Sequence, residues 1–278
     1  MKKVVISGAS GFVGKYLQEY FRDTYAIETI TRNELDNPQA LKQKLQESDV
    51  VINLAGANIM HKWSDEYKKL LVSSRIDTTQ NIVDVINVLE NPPMLISTSA
   101  IGIYDTQKHH DENSQIFAND FLSTLCQNWE AEAQKSRGKV VIFRFGVVLG
   151  KEEGALHKML PPFKWGVGGT IGEGKQHFSY IHIEDLARAY KFVIELSLEG
   201  IFNLTTPHPT TNRGLTKALG KALHRPTFLP VPTFVLKAIF GEGATILMDG
   251  QSVIPARLLE RGFDFKYKTI DEVVQNLV

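Results

Sequence analysis

The sequence predicts an α/β protein: a doubly wound parallel sheet with a smaller α+β lobe at its C-terminal end. Three observations lead there. Through residues 1–150, short β-branched runs alternate with helix-periodic segments, the pattern of crossovers between parallel strands. The first such run, Val4-Val5-Ile6, leads directly into Gly8, Gly11 and Gly14, a G-x-x-G-x-x-G spacing that opens a helix. After Gly150 the alternation yields to prolines and glycines. The expected layout is a core over 1–150, completed by about 180–205, with 151–179 and 206–278 forming the second lobe.

Composition bounds the rest. The chain has 278 residues, 43% of them hydrophobic, which suffices for one large domain and a lobe but not for three independent domains. Its 31 basic and 31 acidic side chains balance, which argues against a general nucleic-acid or anionic-membrane binder and leaves room for a local basic pocket. A single cysteine, Cys126, forbids an intramolecular disulfide and suits a reducing cytosol; it reads as a small apolar filler on a helix. No apolar stretch approaches the roughly 20 residues that cross a bilayer. Met1-Lys2-Lys3 imitates the start of a signal peptide, but Gly8 to Gly14 interrupts the apolar run. The expected location is therefore cytoplasmic.

Taken in order, Val4-Val5-Ile6 is a continuous apolar run, as in a buried parallel strand. Gly8 allows a tight turn, Gly11 lets backbone approach a phosphate, and Gly14 lets the next helix pack on the strand. The start of that helix then presents its N-terminal amides and positive dipole end to an anion. Residues 12–21 recur at helical spacing, and 26–30 form a second strand ending at Thr31-Arg32. In a dinucleotide site this junction selects the cofactor: a carboxylate binds the ribose diol of NAD, whereas a cation accepts the 2′-phosphate of NADP. Arg32 comes first here, with Glu34 and Asp36 only later, and its planar fork suits phosphate.

Leu41 and Leu45 mark a short amphipathic helix, and 49–56 a third strand whose Leu54-Ala55-Gly56 exit lets backbone lie against a flat ligand. Residues 63–90 are expected to be mostly helical, with Leu70, Ile76, Ile82, Val83 and Ile86 buried. Arg75 within it reads as a phosphate ligand or a surface cation. Pro92-Pro93 stops that helix, and Met94-Leu95-Ile96 begins a fourth strand ending at Ser99. A helix over 120–135 carries Trp129 and Glu130, and 139–145 is the fifth strand. Leu160-Pro161-Pro162 and the glycine-rich 166–174 read as irregular chain covering a site. A helix over 183–196 has Glu184-Asp185 in its first turn, and 200–204 is a short strand. The tail holds short helices, the proline-punctuated 225–232, and a closing strand near Phe263-Asp264-Phe265.

Gly8-x-x-Gly11-x-x-Gly14, Asn53-Leu54-Ala55-Gly56, the strand ending at Ser99, the run from Arg144 to Gly150, and Tyr180-Ile181-His182-Ile183-Glu184-Asp185 stand in an order that resembles the extended short-chain dehydrogenase/reductase superfamily. At Asn53 to Gly56, Arg75, Trp129-Glu130, Gly168-Gly169 and Pro255 to Phe263, the chain is similar to the NAD-dependent epimerase-like branch with an uncharacterised C-terminal domain. The resemblance spans nearly the whole chain and is more specific for family than for reaction. It implies a Rossmann core binding NADP and a C-terminal lobe forming a substrate pocket. The implied activity is NADP-dependent epimerase or oxidoreductase, acting on a nucleotide sugar or small carbonyl compound. By motif, it places cofactor contacts on Gly8, Ser10, Gly11, Phe12, Val13, Gly14, Thr31, Arg32, Leu54, Ala55, Gly56, Arg75 and Val148, and an active-site hydroxyl on Ser99.

The superfamily's chemistry uses a tyrosine phenol with a lysine four residues later, whose charge lowers the phenol pKa from about 10 toward working pH. That pair should open the helix running through Trp129, yet 119–130 contains neither residue. One reading is a relocated acid/base, with Tyr104 the first candidate and His109, His110 and Asp111 weaker ones; Tyr104 also reads as a packed aromatic. A second is an NADP(H)-binding sensor or regulatory protein without turnover. A third, no dinucleotide binding, conflicts with the glycine motif and Arg32. No metal set is visible, since His109-His110-Asp111 are neighbours in a solvated loop rather than ligands one turn apart. Lys175, Gln176 and His177 suit either an anionic substrate or an exposed loop. The helices over 63–90 and 120–135 suit packing across a two-fold axis, so a homodimer is expected by analogy of fold.

Overall fold

The computed structural model describes residues 1–278, apart from the side chains of Val235, Lys237, Ile239 and Phe240. The first half of the chain alternates as the β-branched runs require: β1 (Lys3–Ser7), α1 (Phe12–Phe21), β2 (Ala26–Ile30), α2 (Arg32–Leu35), α3 (Pro38–Leu45), β3 (Val50–Asn53), α4 (Asp65–Ser73), α5 (Ile76–Asn87) and β4 (Met94–Ala100). Then follow β5 (His109–His110), α6 (Phe121–Ala133), β6 (Val140–Phe145), β7 (Val147–Leu149), α7 (Gly154–Lys164), β8 (His177–Phe178), β9 (Tyr180–His182), α8 (Ile183–Glu195) and β10 (Gly200–Leu204). The tail contains β11 (Thr210–Thr211), α9 (Asn212–Leu223), α10 (Thr233–Phe240), α11 (Thr245–Met248), β12 (Ser252–Val253), α12 (Ala256–Glu260) and α13 (Ile270–Leu277).

Six strands form one parallel sheet in the order β10-β6-β4-β3-β1-β2. Both faces are covered, which is why the strands read as unbroken apolar runs. Val4, Ile6, Val50, Ile52, Val141 and Phe143 point to the α1–α8 side, while Val5, Val51 and Leu95 point to the side of α3 and α5. From β1 the chain steps outward to β2 and then returns to β3 on the opposite side of β1. Ligands in open parallel sheets bind outside the strand ends at such a reversal. A third apolar cluster joins α7, α9 and α13 through Leu156, Leu160, Leu215, Leu219, Val273 and Val274, giving the C-terminal lobe a core of its own.

Several sequence expectations change in three dimensions. Residues 63–90 are two helices, broken at Arg75, whose φ of −109° and ψ of −58° redirect the chain. Leu70 is exposed and its neighbour Leu71 takes the buried position. Pro161 and Pro162 lie inside α7, in its last turns. The bonds they forfeit would have gone to the carbonyls of His157 and Lys158, both exposed residues, while Leu156, Leu160 and Phe163 anchor the helix. His109-His110 is no solvated loop: it pairs in parallel with β12, and His110 is buried.

No strand forms at Phe263–Phe265 because the chain there closes α12. Phe263 N–H donates to Leu258 O at 2.9 Å and Gly262 N–H to Leu259 O at 2.9 Å, with Gly262 at φ +84°, the bonding of a Schellman cap. Both rings are nevertheless buried, meeting edge to face at 4.7 Å. Replacing Gly262 by alanine should cost about 1–2 kcal/mol through left-handed strain alone, since a Cβ there meets nothing within 4 Å. Thermal unfolding of Gly262→Ala reads that loss.

Candidate functional site

The glycines after β1 are demanded by geometry. Gly8 sits at φ +69°, and a Cβ on it would come within 2.7 Å of the Leu54 carbonyl carbon, so the β1–α1 turn lies directly against the exit of β3. Gly11 N–H closes the turn onto Gly8 O at 3.0 Å. A Cβ on Gly14 would stand 2.5 Å from Gly8 O, so only glycine lets α1 approach this closely. Gly11 is also the N-cap of α1 and has no side chain to satisfy the helix amides. The first N–H groups of α1, at Phe12 and Val13, therefore open outward beside exposed Ser10, as an anion site requires. The Phe12 ring turns away and packs against Gly150 and Gly154, next to half-buried Val148.

At the end of β2, Thr31 caps α2 in a reciprocal capping box. Thr31 N–H donates to Glu34 Oε2 at 2.7 Å and its hydroxyl does so at 2.8 Å, while Glu34 N–H returns a bond to Thr31 Oγ1. Lys44 lies 3.5 Å from the other carboxylate oxygen. The bond from the Thr31 backbone, with that from its hydroxyl, holds the Glu34 carboxyl below the usual carboxylate range. The first acidic residue after β2 is thus folded back and engaged, while Arg32 is exposed at this junction and Asp36 is exposed a turn further on.

The floor between β1 and β3 is a buried polar cluster. Asn53 Oδ1 accepts from the Ser7 hydroxyl at 2.7 Å and Ala55 N–H at 3.2 Å, while its Nδ2 donates to Thr79 Oγ1 at 2.9 Å. Thr79 also accepts from Trp129 Nε1 at 2.8 Å and donates to Arg75 O at 2.6 Å. This cluster fixes Leu54, Ala55 and exposed Gly56. The Arg75 guanidinium donates to Leu71 O and Ala57 O, lies 5.4 Å from the Trp129 ring, and has no carboxylate among these partners. Burial pulls its pKa down. A Cβ on Gly56 would stand 3.2 Å from its Cζ, so this cation lies directly behind the β3 exit.

Ser99 and Tyr104 are brought together, but beneath the surface. The Ser99 hydroxyl donates to Glu130 Oε1 at 2.6 Å. Glu130 also takes a forked pair of bonds from Arg144 Nε and Nη2, at 2.8 and 2.7 Å, and Arg144 Nη1 donates to Tyr104 Oη at 2.7 Å. The Tyr104 hydroxyl donates to Asn203 Oδ1 at 3.0 Å, and its ring stacks on His110 at 4.8 Å. Tyr104 is fully buried and Ser99 is 1% exposed. Burial pushes the Tyr104 phenol up against the opposing charge of Arg144. Neither hydroxyl is offered to a ligand. The reading of Tyr104 as a relocated acid/base gives way to that of a packed aromatic whose hydroxyl is internal.

The α6 face turned toward the end of β4 carries other residues. Leu122 lies 3.8 Å from where a Cβ on Gly102 would stand. One turn later Cys126 is buried beside Ser99, its thiol pushed up to about 11 chiefly by burial. The i, i+4 pair on this face is therefore Leu–Cys. At its mouth, half-buried Trp63 and Phe121 meet edge to face at 5.5 Å, and Lys68 Nζ lies 5.4 Å from the Phe121 centroid while pairing with Glu242. A Cβ on Gly243 would lie 3.2 Å from Trp63 Nε1, so the C-terminal lobe clasps the chain that leaves β3. The exposed residues of α5 and α6 are Asp77, Gln80, Asp84, Thr124, Gln127, Asn128 and Ala131, and exposed Leu70 and Val88 lie on the neighbouring stretches of 63–90.

A parallel sheet whose first strand empties into a glycine turn and an uncapped helix end, at the reversal of strand order, defines a Rossmann-type α/β protein. The chain belongs to the NAD dependent epimerase/dehydratase family, whose sequence model matches residues 4–204; residues 231–277 match a domain of unknown function, DUF1731. It is 39% identical to the epimerase family protein SDR39U1 homolog, chloroplastic, of Arabidopsis thaliana, over 99% of this chain and 86% of that one. With the epimerase family protein SDR39U1 of Mus musculus it shares 36% identity over 99% of each chain. The crystal structure of the human epimerase family protein SDR39U1 (isoform 2) with NADPH superposes with a TM-score of 0.91 at 31% identity, covering 99% of this chain and 98% of that one.

Sequence reasoning missed the Glu130–Arg144 pair, although an arginine inside the apolar run Val140–Phe145 signals a buried partner. It also missed the Trp63–Phe121–Lys68 mouth, whose parts are far apart in the chain. Substituting Glu130→Gln leaves the Arg144 charge buried without its counter-ion and should cost about 3–5 kcal/mol, read by urea unfolding. Acid titration tests the cap. Glu34 has a lower pKa folded than unfolded, so its stabilising effect is complete above the unfolded value, about 4.3, and fades as pH falls through the folded one. Glu34→Gln should flatten that part of the stability profile.

Proposed function

We propose that the chain is an NADP(H)-dependent oxidoreductase or epimerase of the extended short-chain dehydrogenase type, acting on a small molecule in the cytoplasm. The single observation that carries the choice of cofactor is the Thr31–Glu34 box: it engages the nearby carboxylate and leaves Arg32 exposed at the end of β2. The NADPH in the related human structure supports the same choice. The residues present fit the dinucleotide. The amides of Phe12 and Val13, with Gly8, Ser10 and Gly11, would hold its pyrophosphate, and Gly14 permits the close approach. Thr31 and Arg32 would take the 2′-phosphate, Leu54, Ala55 and Gly56 the adenosine side, and Arg75 and Val148 the further wall. When bound, the dinucleotide supplies reversible two-electron chemistry at its nicotinamide.

The chain's own residues bind and orient. Ser99 and Tyr104 act through Glu130 and Arg144, holding the ends of β4 and β6 in place. The segments 151–179 and 206–278 form the substrate lobe, and the contact of Gly243 with Trp63 limits water at the cleft mouth. The Leu122–Cys126 pair favours a second reading, a dinucleotide-binding sensor without turnover. Calorimetric titration of stripped protein separates the cofactors: NADPH should bind about 10–100-fold tighter than NADH, and Arg32→Ala should erase most of that preference. Heat from neither dinucleotide would sink the assignment. Binding without oxidation of NADPH across carbonyl and nucleotide-sugar panels would select the sensor reading among those substrates.

A further inference from the structure

We propose that the cleft takes a planar hydride acceptor of the quinone type, an inference that rests on the reading of the site as an NADP(H) cleft. Three features meet beyond the C-terminal ends of β3 and β4. The α6 face there carries Leu122 and then Cys126, whose thiol sits beside Ser99 and is pushed up to about 11, so neither residue exchanges a proton near neutral pH. Trp63 and Phe121, both half-buried, form an aromatic wall that suits stacking on a flat ring. Two cations stand close to that wall and to the β3 exit: Lys68 over Phe121, paired with Glu242, and half-buried Arg75, whose oxygen partners are backbone carbonyls.

Positive charge, an aromatic wall and an α6 face that carries leucine and cysteine in place of a proton-exchanging pair favour an acceptor whose reduced form is a stabilised anion. Hydride addition to an isolated ketone gives an alkoxide, which requires a proton from the site in the transition state. Hydride addition to a quinone gives a phenolate-like anion, with its charge spread over the ring and a conjugate acid near the phenol value of about 10. In balance, one hydride with its two electrons passes from the reduced dinucleotide phosphate to the quinone. This leaves the oxidised dinucleotide and the hydroquinone monoanion, which takes its remaining proton from water. Lys68 and Arg75 stabilise the anion until then, and no side chain changes protonation state.

Calorimetric titration of a water-soluble naphthoquinone into protein saturated with oxidised NADP reads binding in the absence of turnover. Saturable binding below about 1 mM is expected, weakened about tenfold by Trp63→Ala and retained by Trp63→Phe, which keeps a ring. With NADPH, the quinone should be consumed and simple ketones left untouched. Leu122→Tyr combined with Cys126→Lys installs a proton-exchanging pair on the same helix face and should raise ketone reduction by about tenfold or more. A protein that binds NADP but no quinone, or that reduces ketones but not quinones, overturns this inference and leaves the cofactor assignment standing. A protein that binds no dinucleotide overturns both.

Discussion

The buried pairing of Glu130 with Arg144 is the interaction on which the upper end of the sheet depends. Arg144 lies within β6 and Glu130 on α6, and their forked bonds tie the two elements across the end of β4. An ion pair removed from water holds only when its remaining donors and acceptors are also satisfied. Here Ser99 supplies one further bond to Glu130, and Tyr104 takes the third guanidinium nitrogen. Tyr104 extends the connection through Asn203 to β10, the edge of the sheet. At that edge Glu112 accepts from Asn203 N–H at 2.8 Å and from Arg257 N–H at 3.2 Å, so the edge strand is joined to the tail by a side chain rather than by another strand.

The two ends of the cleft are built from different materials. At the opening turn the fit comes from backbone: the φ of Gly8, the approach of Gly14 to Gly8 O, and the uncapped amides of α1. Such a cradle asks for the absence of side chains and is indifferent to what lies beyond it. At the far end, chemistry is set by which side chains project from α6, and there the fold carries leucine and a buried cysteine. Dinucleotide recognition and reaction type are therefore separable within one architecture.

The strands were legible because burial on both faces writes itself as β-branched runs, and the glycine turn because few residues adopt its backbone. Arg32 was legible for its order after β2. The engagement of Glu34 was legible only in part: a threonine three residues before a glutamate is a capping signature, but its effect on the charge at the site requires the folded turn. The apolar spacing across 63–90 persists and reads as one helix; the break at Arg75, whose guanidinium bonds the carbonyls of Leu71 and Ala57, shows only in the folded chain. Tyr104 reads as available in one dimension because nothing in its neighbourhood announces that Arg144, 40 residues on, and Asn203, 99 residues on, enclose it.

By itself, then, the order of residues determined a parallel α/β core, the glycine turn after its first strand and the arginine at the end of its second, since each follows from local periodicity or from the steric needs of a few adjacent residues. Which hydroxyls face a ligand, which face of α6 lines the cleft, and how the C-terminal lobe closes against Trp63 were decided only by tertiary packing. The reason is physical: exposure and protonation depend on groups distant in the chain that compete for the same buried volume, and a linear pattern does not record that competition.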